Sequence, residues 1–393
     1  MRVVSQLPAR ADLVVVGGGI VGAATAFFAS RAGLRVLLVE RLPRPAAFTT
    51  AVAAGGYRLQ LEHPDELGLV QRTVDLLERF GDETGQTAHT PGLLRQGYLW
   101  LASTEETAAA QRELVGRQRE FGVDGVELLG GDEARREFPW LDPSVLQARY
   151  RAADGLIDPR PIAMGLIEGA GCEVALGCDV TELVVNSGRV QGVRTSWGDI
   201  PCGGVVIACG PLSGLLAERA GVRLPVEALR RQRVALWNLA GLPPGAPMTI
   251  DEETTVHWRP VGDRGAYLLY PDPDERPAAP ATRVVGDPEF AFGLLDPASP
   301  RWIGRTAPFW AEVWERNSAV WSVQAGQYTM TPDQRPLLDE TEVGGLFVNT
   351  GYSGHGVMAG PGGSELLVEV ITGERTENPF RIDRSFTAST QAF

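Results

Sequence analysis

Three groups of residues in this 393-residue chain have the types and spacings that chemistry requires. The first is Gly17, Gly19 and Gly22 in G-x-G-x-x-G spacing, with Glu40 closing the apolar run that follows at residues 34–39. Gly17 permits a tight turn, Gly19 lets backbone N–H groups reach a pyrophosphate at the positive end of a helix, and Gly22 lets that helix pack closely on its strand. Glu40 can accept hydrogen bonds from a ribose diol. FAD and NAD satisfy this pattern equally. The second group is the distant loop Gly351-Tyr352-Ser353-Gly354-His355-Gly356, which also joins an apolar strand to an apolar helix. A helix N-terminus there points N–H groups and a positive dipole at a ligand that becomes anionic. Reduced flavin carries charge around N1 and C2=O, whereas nicotinamide becomes neutral on reduction, so the second loop favours FAD. The third group is a set of cations and imidazoles. Arg58 follows the small-residue run Ala54-Gly55-Gly56-Tyr57. His257 and Arg259 share one face of a predicted strand, with Tyr270 as a neighbour.

These residues need a framework to hold them. Residues 13–16 read as a buried strand, 23–31 as a small-residue helix and 34–39 as a second strand. Residues 48–60, rich in Ala and Gly with an Arg and a Gln, suggest backbone running close to a ligand. Helical periodicity follows at 63–79 and 104–121, with a strand at 97–102 between them and a short helix at 132–138. Residues 172–195 have the rhythm strand, loop, strand, with a turn at Asn186-Ser187-Gly188. The apolar run 205–211 reads as a strand returning to the nucleotide-binding sheet. From 231 to 321 the pattern is alternating strands, including a hairpin of 255–260 and 266–270. A helix is predicted over 298–317, Arg231 and Arg233 read as interdomain charges, and the tail after Phe380 reads as disordered.

The fold class is therefore α/β, α+β overall: a Rossmann-like FAD-binding domain with an inserted mixed-sheet substrate domain. The FAD domain is assigned to residues 1–90, 150–225 and 322–393, and the cap to 91–149 and 226–321.

Composition excludes several classes of function. A net charge of −13 repels a nucleic-acid backbone. No run of 18 apolar residues spans a membrane and no leader opens the chain, so a cytoplasmic protein is expected. Cys172, Cys178, Cys202 and Cys209 lack C-x-x-C spacing and His partners, which predicts reduced core thiols and no metal site. All 36 basic residues are Arg and none is Lys. That removes a pyridoxal Schiff base, a Walker lysine and any lysine nucleophile.

Taken in order, Gly17 to Gly22 with Glu40, Ala54-Gly55-Gly56-Tyr57-Arg58, residues 205–211, Tyr328-Thr329-Met330-Thr331-Pro332-Asp333 and Gly351 to Gly356 resemble the FAD-dependent D-amino-acid oxidase superfamily. The similarity is strongest to its sarcosine oxidase, dimethylglycine dehydrogenase and proline dehydrogenase branch, and it spans nearly the whole chain. It implies oxidation of a C–N bond in an amine or amino acid by hydride transfer to flavin N5, with O₂ or another electron acceptor. A flavin-carrying dehydrogenase subunit that passes electrons to a partner is the alternative. It implies a cofactor site that also includes Ile20, Val21, Arg41, Thr49, Thr50, Ala54, Gly55, Val180, Ala208, Gly210, Gly326, Gly354, His355, Gly356, Val357 and Met358. It places Arg58 beside the flavin ring and His355 in contact with the cofactor.

The departures are equally specific. The two positions where relatives tether flavin covalently carry Gly326 and Val52, so non-covalent FAD is expected. Three carboxylate-gripping positions carry Leu61, Tyr328 and Met358, so either another Arg grips the carboxylate, with Arg259 the leading replacement, or the substrate is a less acidic, bulkier amine. The oxygen-activating lysine is absent, which leaves an oxidase and a dehydrogenase both open.

Overall fold

The apolar runs at Ala11–Val16 and Val36–Glu40 are parallel neighbours at the middle of a nine-stranded sheet, registered Val14 to Leu37 and Val16 to Val39. Both faces of these strands are covered, which is why they read as continuous Val and Leu rather than as an alternation. A computed structural model describes residues 1–85, 88–316 and 319–387. Across this sheet the order runs Arg2–Val3, Glu173–Leu176, Val36–Glu40, Ala11–Val16 and Gly198–Ile207. From Gly198–Ile207 it continues to Leu346–Thr350 and the antiparallel Leu337–Glu340. The hairpin of Val180–Asn186 and Arg189–Thr195 extends from the first half of Gly198–Ile207. Its turn places Ser187 and Gly188 at φ +49° and +72°, the left-handed pair that matches the twist of two antiparallel strands.

Helices Ile20–Arg31, Pro64–Glu78, Pro159–Ala170 and Gly356–Thr372 pack together against this sheet. The helix from the chain's start and the one near its end lie against each other. Thr25, Asn349 and Ser364 hydrogen-bond in that contact.

A second sheet of eight strands runs Val320–Met330, Glu227–Trp237, Gly265–Leu269, His257–Val261, Met248–Asp251, Tyr98–Ala102, Gln147–Arg151 and Glu127–Gly130. Every neighbouring pair is antiparallel except Met248–Asp251 with Tyr98–Ala102. Its outer side is filled by Trp258 and Trp310, with Trp140 and Phe309 edge-on to Trp258. The boundary drawn at residue 322 falls inside a strand, since Val320–Met330 pairs along its length with Glu227–Trp237.

Two expectations are corrected. Residues 298–316 do not form one helix. A helix at Pro288–Leu295 precedes them, then a single 3₁₀ turn, Ile303–Arg305, and a short helix, Trp310–Arg316. Pro300 and Pro308 supply the reason, because proline removes an N–H donor and drives the preceding residue out of helical conformation; Asn317 lies outside the described residues. The chain after Phe380 is also anchored up to residue 387. Phe380 is buried, and Arg384 makes a two-bond pair with the Asp333 carboxylate, at 2.8 and 2.9 Å. Among the described residues no helix is long and apolar enough to cross a membrane.

Candidate active site

A cavity of about 510 Å³ runs between the two sheets and touches both glycine loops. At one end the turn after Ala11–Val16 needs glycine twice. Gly17 has φ +111° and a Cβ there would lie 2.5 Å from the Ala208 carbonyl oxygen; a Cβ on Gly22 would lie 1.8 Å from the Gly17 oxygen. Helix Ile20–Arg31 starts at Gly19 with no acidic residue in its first turn, so its free N–H groups and dipole face an anion unopposed. The Thr50 hydroxyl accepts from the Ile20 N–H at 3.1 Å. Glu40 accepts from Gly18 N–H at 2.6 Å and from Leu42 N–H at 2.8 Å. Burial raises its pKa against those two N–H groups. Each carboxylate oxygen keeps a second lone pair for a diol.

At the other end the strand Leu346–Thr350 delivers the loop to the helix Gly356–Thr372, which His355 caps. Gly354 has φ +104°, and a Cβ on it would meet the Tyr328 ring at 2.7 Å. His355 Nδ1 lies 3.1 Å from Glu66 Oε1, and its Nε2 lies 3.4 Å from Arg58 Nη2. Burial raises the Glu66 pKa, but the hydrogen bond from His355 and nearby positive charge, that of Arg335 included, outweigh it and leave the group below its ordinary value. An ionised Glu66 accepts the Nδ1 proton, so the Nε2 lone pair is free to accept from Arg58.

Arg58 is 5 % exposed, lies over Trp100 and Tyr98 at 5.3 and 5.8 Å, and among the described residues has no partner on Nε. A buried guanidinium with an unused N–H, next to a helix N-terminus, fits a cofactor that gains negative charge. Behind it Arg149 covers Trp100 at 4.7 Å and binds Gln60 and Glu252, so the Trp100 ring is held in place.

Of the residues singled out from sequence, all line the cavity except Gly22 and Arg259. Gly22 lies under the turn. Arg259 lies over the Tyr267 ring at 5.0 Å and beside Gly55, where burial lowers its pKa to about 10. His257, one turn of pleat earlier, faces the cavity with Nδ1 donating to the Thr255 carbonyl at 2.9 Å, and burial lowers it to about 4.

Two further residues matter. Glu66 carries a signal in its spacing, since it shares the helix stripe of Leu69, Val70 and Thr73. Arg231 faces the cavity, over the Tyr328 ring at 5.8 Å. Arg233, on the same strand face, instead binds the Ala51 and Ala53 carbonyls and ties the two sheets' loops together. Gly326 and Val52 touch each other, because a Cβ at 326 would be 2.9 Å from Val52 Cγ2. Among the described residues no group of His, Cys, Asp and Glu is placed to hold a metal.

With this geometry in place, comparison with known proteins is informative. Residues 12–370 match the family model described as DAO, FAD dependent oxidoreductase. The mitochondrial sarcosine dehydrogenase of Mus musculus is 28% identical over 96% of this chain and 41% of its own length, so the chain spans about two-fifths of that relative. The FAD-dependent oxidoreductase domain-containing protein 1 of Xenopus laevis is 26% identical over 93% of this chain and 79% of its own. Among solved structures, the L-proline dehydrogenase of P. horikoshii superposes with a TM-score of 0.82 at 24% identity, covering 95% of this chain and 96% of that one.

Proposed function

Because the chain belongs to the DAO family of FAD-dependent oxidoreductases, we propose that it holds FAD non-covalently in the cavity and oxidises a C–N bond of an amine or amino acid. Bound there, FAD supplies the acceptor for a hydride from the carbon that bears the nitrogen, and the substrate leaves as an imine. The single observation that carries this reading is the cavity's two ends: a free helix N-terminus at Gly19 with Glu40 beside it, and a second at His355 with the buried Arg58 beside it.

On this reading the N–H groups around Gly19 and Ile20 hold the pyrophosphate, and Glu40 holds the ribose. Arg58 and the first turn of Gly356–Thr372 offset charge on the reduced ring. His355 orients Arg58 rather than acting as a base, since hydride transfer needs only a neutral amine. Gly326 and Val52 offer no nucleophile for a covalent link. His257 and Tyr270 line the substrate side. Segments 1–90 and 150–225 carry the cofactor, and the eight-stranded sheet covers the ring. The four free thiols fit a reducing, cytoplasmic setting, which cell fractionation checks.

The test is anaerobic mixing of the purified yellow protein with a panel of amines and amino acids while the flavin absorbance is followed. Bleaching by a C–N compound is the expected outcome, and a panel that leaves the flavin oxidised defeats the reading. Reoxidation by O₂ compared with an artificial dye then separates an oxidase from a dehydrogenase that passes its electrons to a partner.

A further inference from the structure

Of the three arginines at the catalytic end of the cavity, none is paired with a carboxylate among the described residues, and Arg231 is the least engaged. Arg58 there is engaged by His355, and Arg233 nearby is saturated by the carbonyls of Ala51 and Ala53 and by Gln324. Arg231 makes one long bond, Nη1 to the Arg230 carbonyl at 3.3 Å, and among the described residues no carboxylate lies within 4.0 Å of it. The nearby acid Glu275 is already taken by Arg230, at 2.9 and 3.0 Å. A half-buried guanidinium without a counter-charge costs stability, and a planar carboxylate that accepts two parallel N–H bonds relieves that cost.

The position is as informative as the charge. Arg231 is registered opposite Gly326, which presents no side chain, and lies over Tyr328. The Tyr328 ring in turn packs on Gly354 of the second glycine loop. Burial raises the Tyr328 phenol's pKa, opposed by the charges of Arg231, Arg58 and Arg233. Arg231, Arg58 and Arg233 therefore all act on the same phenol, with Arg231 over its ring and Arg58 in contact with His355 of the loop. The residues that stand at the other carboxylate-gripping positions cannot do this work, since Leu61 and Met358 are buried apolar side chains.

We infer that Arg231, with the Tyr328 hydroxyl beside it, binds a substrate carboxylate, so that the substrate is an amino acid rather than a simple amine. This rests on the C–N oxidation reading above. Anchoring the carboxylate there leaves the neighbouring carbon and its nitrogen to extend toward Arg58 and the second glycine loop.

The test compares wild-type holoenzyme with Arg231→Met and Arg231→Lys. N-methylglycine is set against dimethylamine, proline against pyrrolidine, and benzoate serves as a non-reacting carboxylate probe followed by the flavin absorbance. The expected result is bleaching by the acids and not by their decarboxylated counterparts. In Arg231→Met, KM for the acids and Kd for benzoate rise by about 100-fold or more. Its FAD content and melting temperature hold, kcat changes less than KM, and Arg231→Lys recovers part of the affinity. Equal turnover of acids and decarboxylated amines by wild type would overturn the inference while leaving C–N oxidation intact. So would benzoate binding that is unchanged in Arg231→Met. If no C–N compound bleaches the wild type, the proposed function fails, and the benzoate titration still decides the carboxylate site.

Discussion

Glu66→Gln separates two roles of one buried carboxylate. In the native arrangement the charge on Glu66 fixes the His355 proton on Nδ1, 3.1 Å away, and so keeps the Nε2 lone pair facing Arg58 at 3.4 Å. A hydrogen bond to a charged acceptor contributes about 1.5–3 kcal/mol and a neutral one about 0.5–1.5 kcal/mol, so losing only the charge costs about 1–1.5 kcal/mol of stability. That lowers the melting temperature by roughly 1–2 °C, because the unfolding entropy of so long a chain is large. The amide can also turn its NH₂ toward Nδ1, which moves the imidazole proton to Nε2 and sets an N–H against the Arg58 N–H groups.

If Arg58 loses about 1 kcal/mol of its hold on the reduced ring, the two-electron potential falls by about 20 mV, taking 30 mV as about 1.4 kcal/mol. The assays are thermal melting and dye-equilibrated reduction. The pH dependence has a definite sign. Glu66 is held below its ordinary value of 4.5, so its contribution is present above that value and is lost as pH falls through the folded-state value. The acid limb of stability is accordingly shallower in the variant. A variant with wild-type melting and wild-type potential refutes the arrangement. A melting loss with an unchanged potential reduces Glu66 to an ordinary buried ion pair.

Three other perturbations have defined outcomes. Gly17→Ala puts a Cβ 2.5 Å from the Ala208 oxygen at φ +111°, so it should cost about 1–3 kcal/mol and leave the protein largely free of flavin; a full FAD-to-protein ratio with normal melting contradicts this. His257 titrates near 4 when folded against an ordinary 6.5, so below about pH 6.5 the unfolded chain takes up a proton that the folded chain refuses. Up to about 3 kcal/mol is then lost on the way down to pH 4, a slope that His257→Asn should remove from urea melts taken across that range. Arg384→Ala strands Asp333, whose carboxylate is 4% exposed, and should cost about 3–5 kcal/mol while the flavin spectrum is unchanged; an unaltered denaturation midpoint would show that the chain after Phe380 is not an anchor.

Much of the cofactor's cradle was legible because it is local. Gly17 to Gly22 and the end of Val36–Glu40 are separated by one helix, and the periodicity that defines them is set by burial on both faces. The residues at the cavity's other end are another matter. Glu66 meets His355 across 289 positions and Arg58 meets it across 297, distances over which spacing carries no information. Alternation along a strand identifies a face but not where along it a cavity opens. His257 and Arg259 share a face, as do Arg231 and Arg233. In the first pair two residues of rise, about 7 Å, separate a side chain in the cavity from one outside it; in the second both line the cavity, but Arg233 is bound to loop carbonyls while Arg231 lies over Tyr328. The single helix predicted over 298–317 failed for a local reason that its own prolines supply.

The absence of lysine gives this cavity a distinct electrostatic character. A lysine in an apolar pocket can shed its proton and serve as a base, and it also gives oxygen a mobile ammonium. A guanidinium does neither, because it stays protonated throughout the physiological range and its donors lie in a rigid plane. The positive charges at this end of the cavity, Arg58, Arg231 and Arg233, are therefore permanent, and what distinguishes them is their partners. Arg58 is held by an imidazole whose tautomer a carboxylate fixes, which suits a charge that must be in place before the ring is reduced. Arg231 has no such holder, which suits a charge completed by each arriving molecule. His257, which also lines the cavity, stays neutral across the same range, because burial lowers it to about 4. On the proposed amine oxidation, the substrate nitrogen would give up its proton to solvent before binding, and pH would act on the amine.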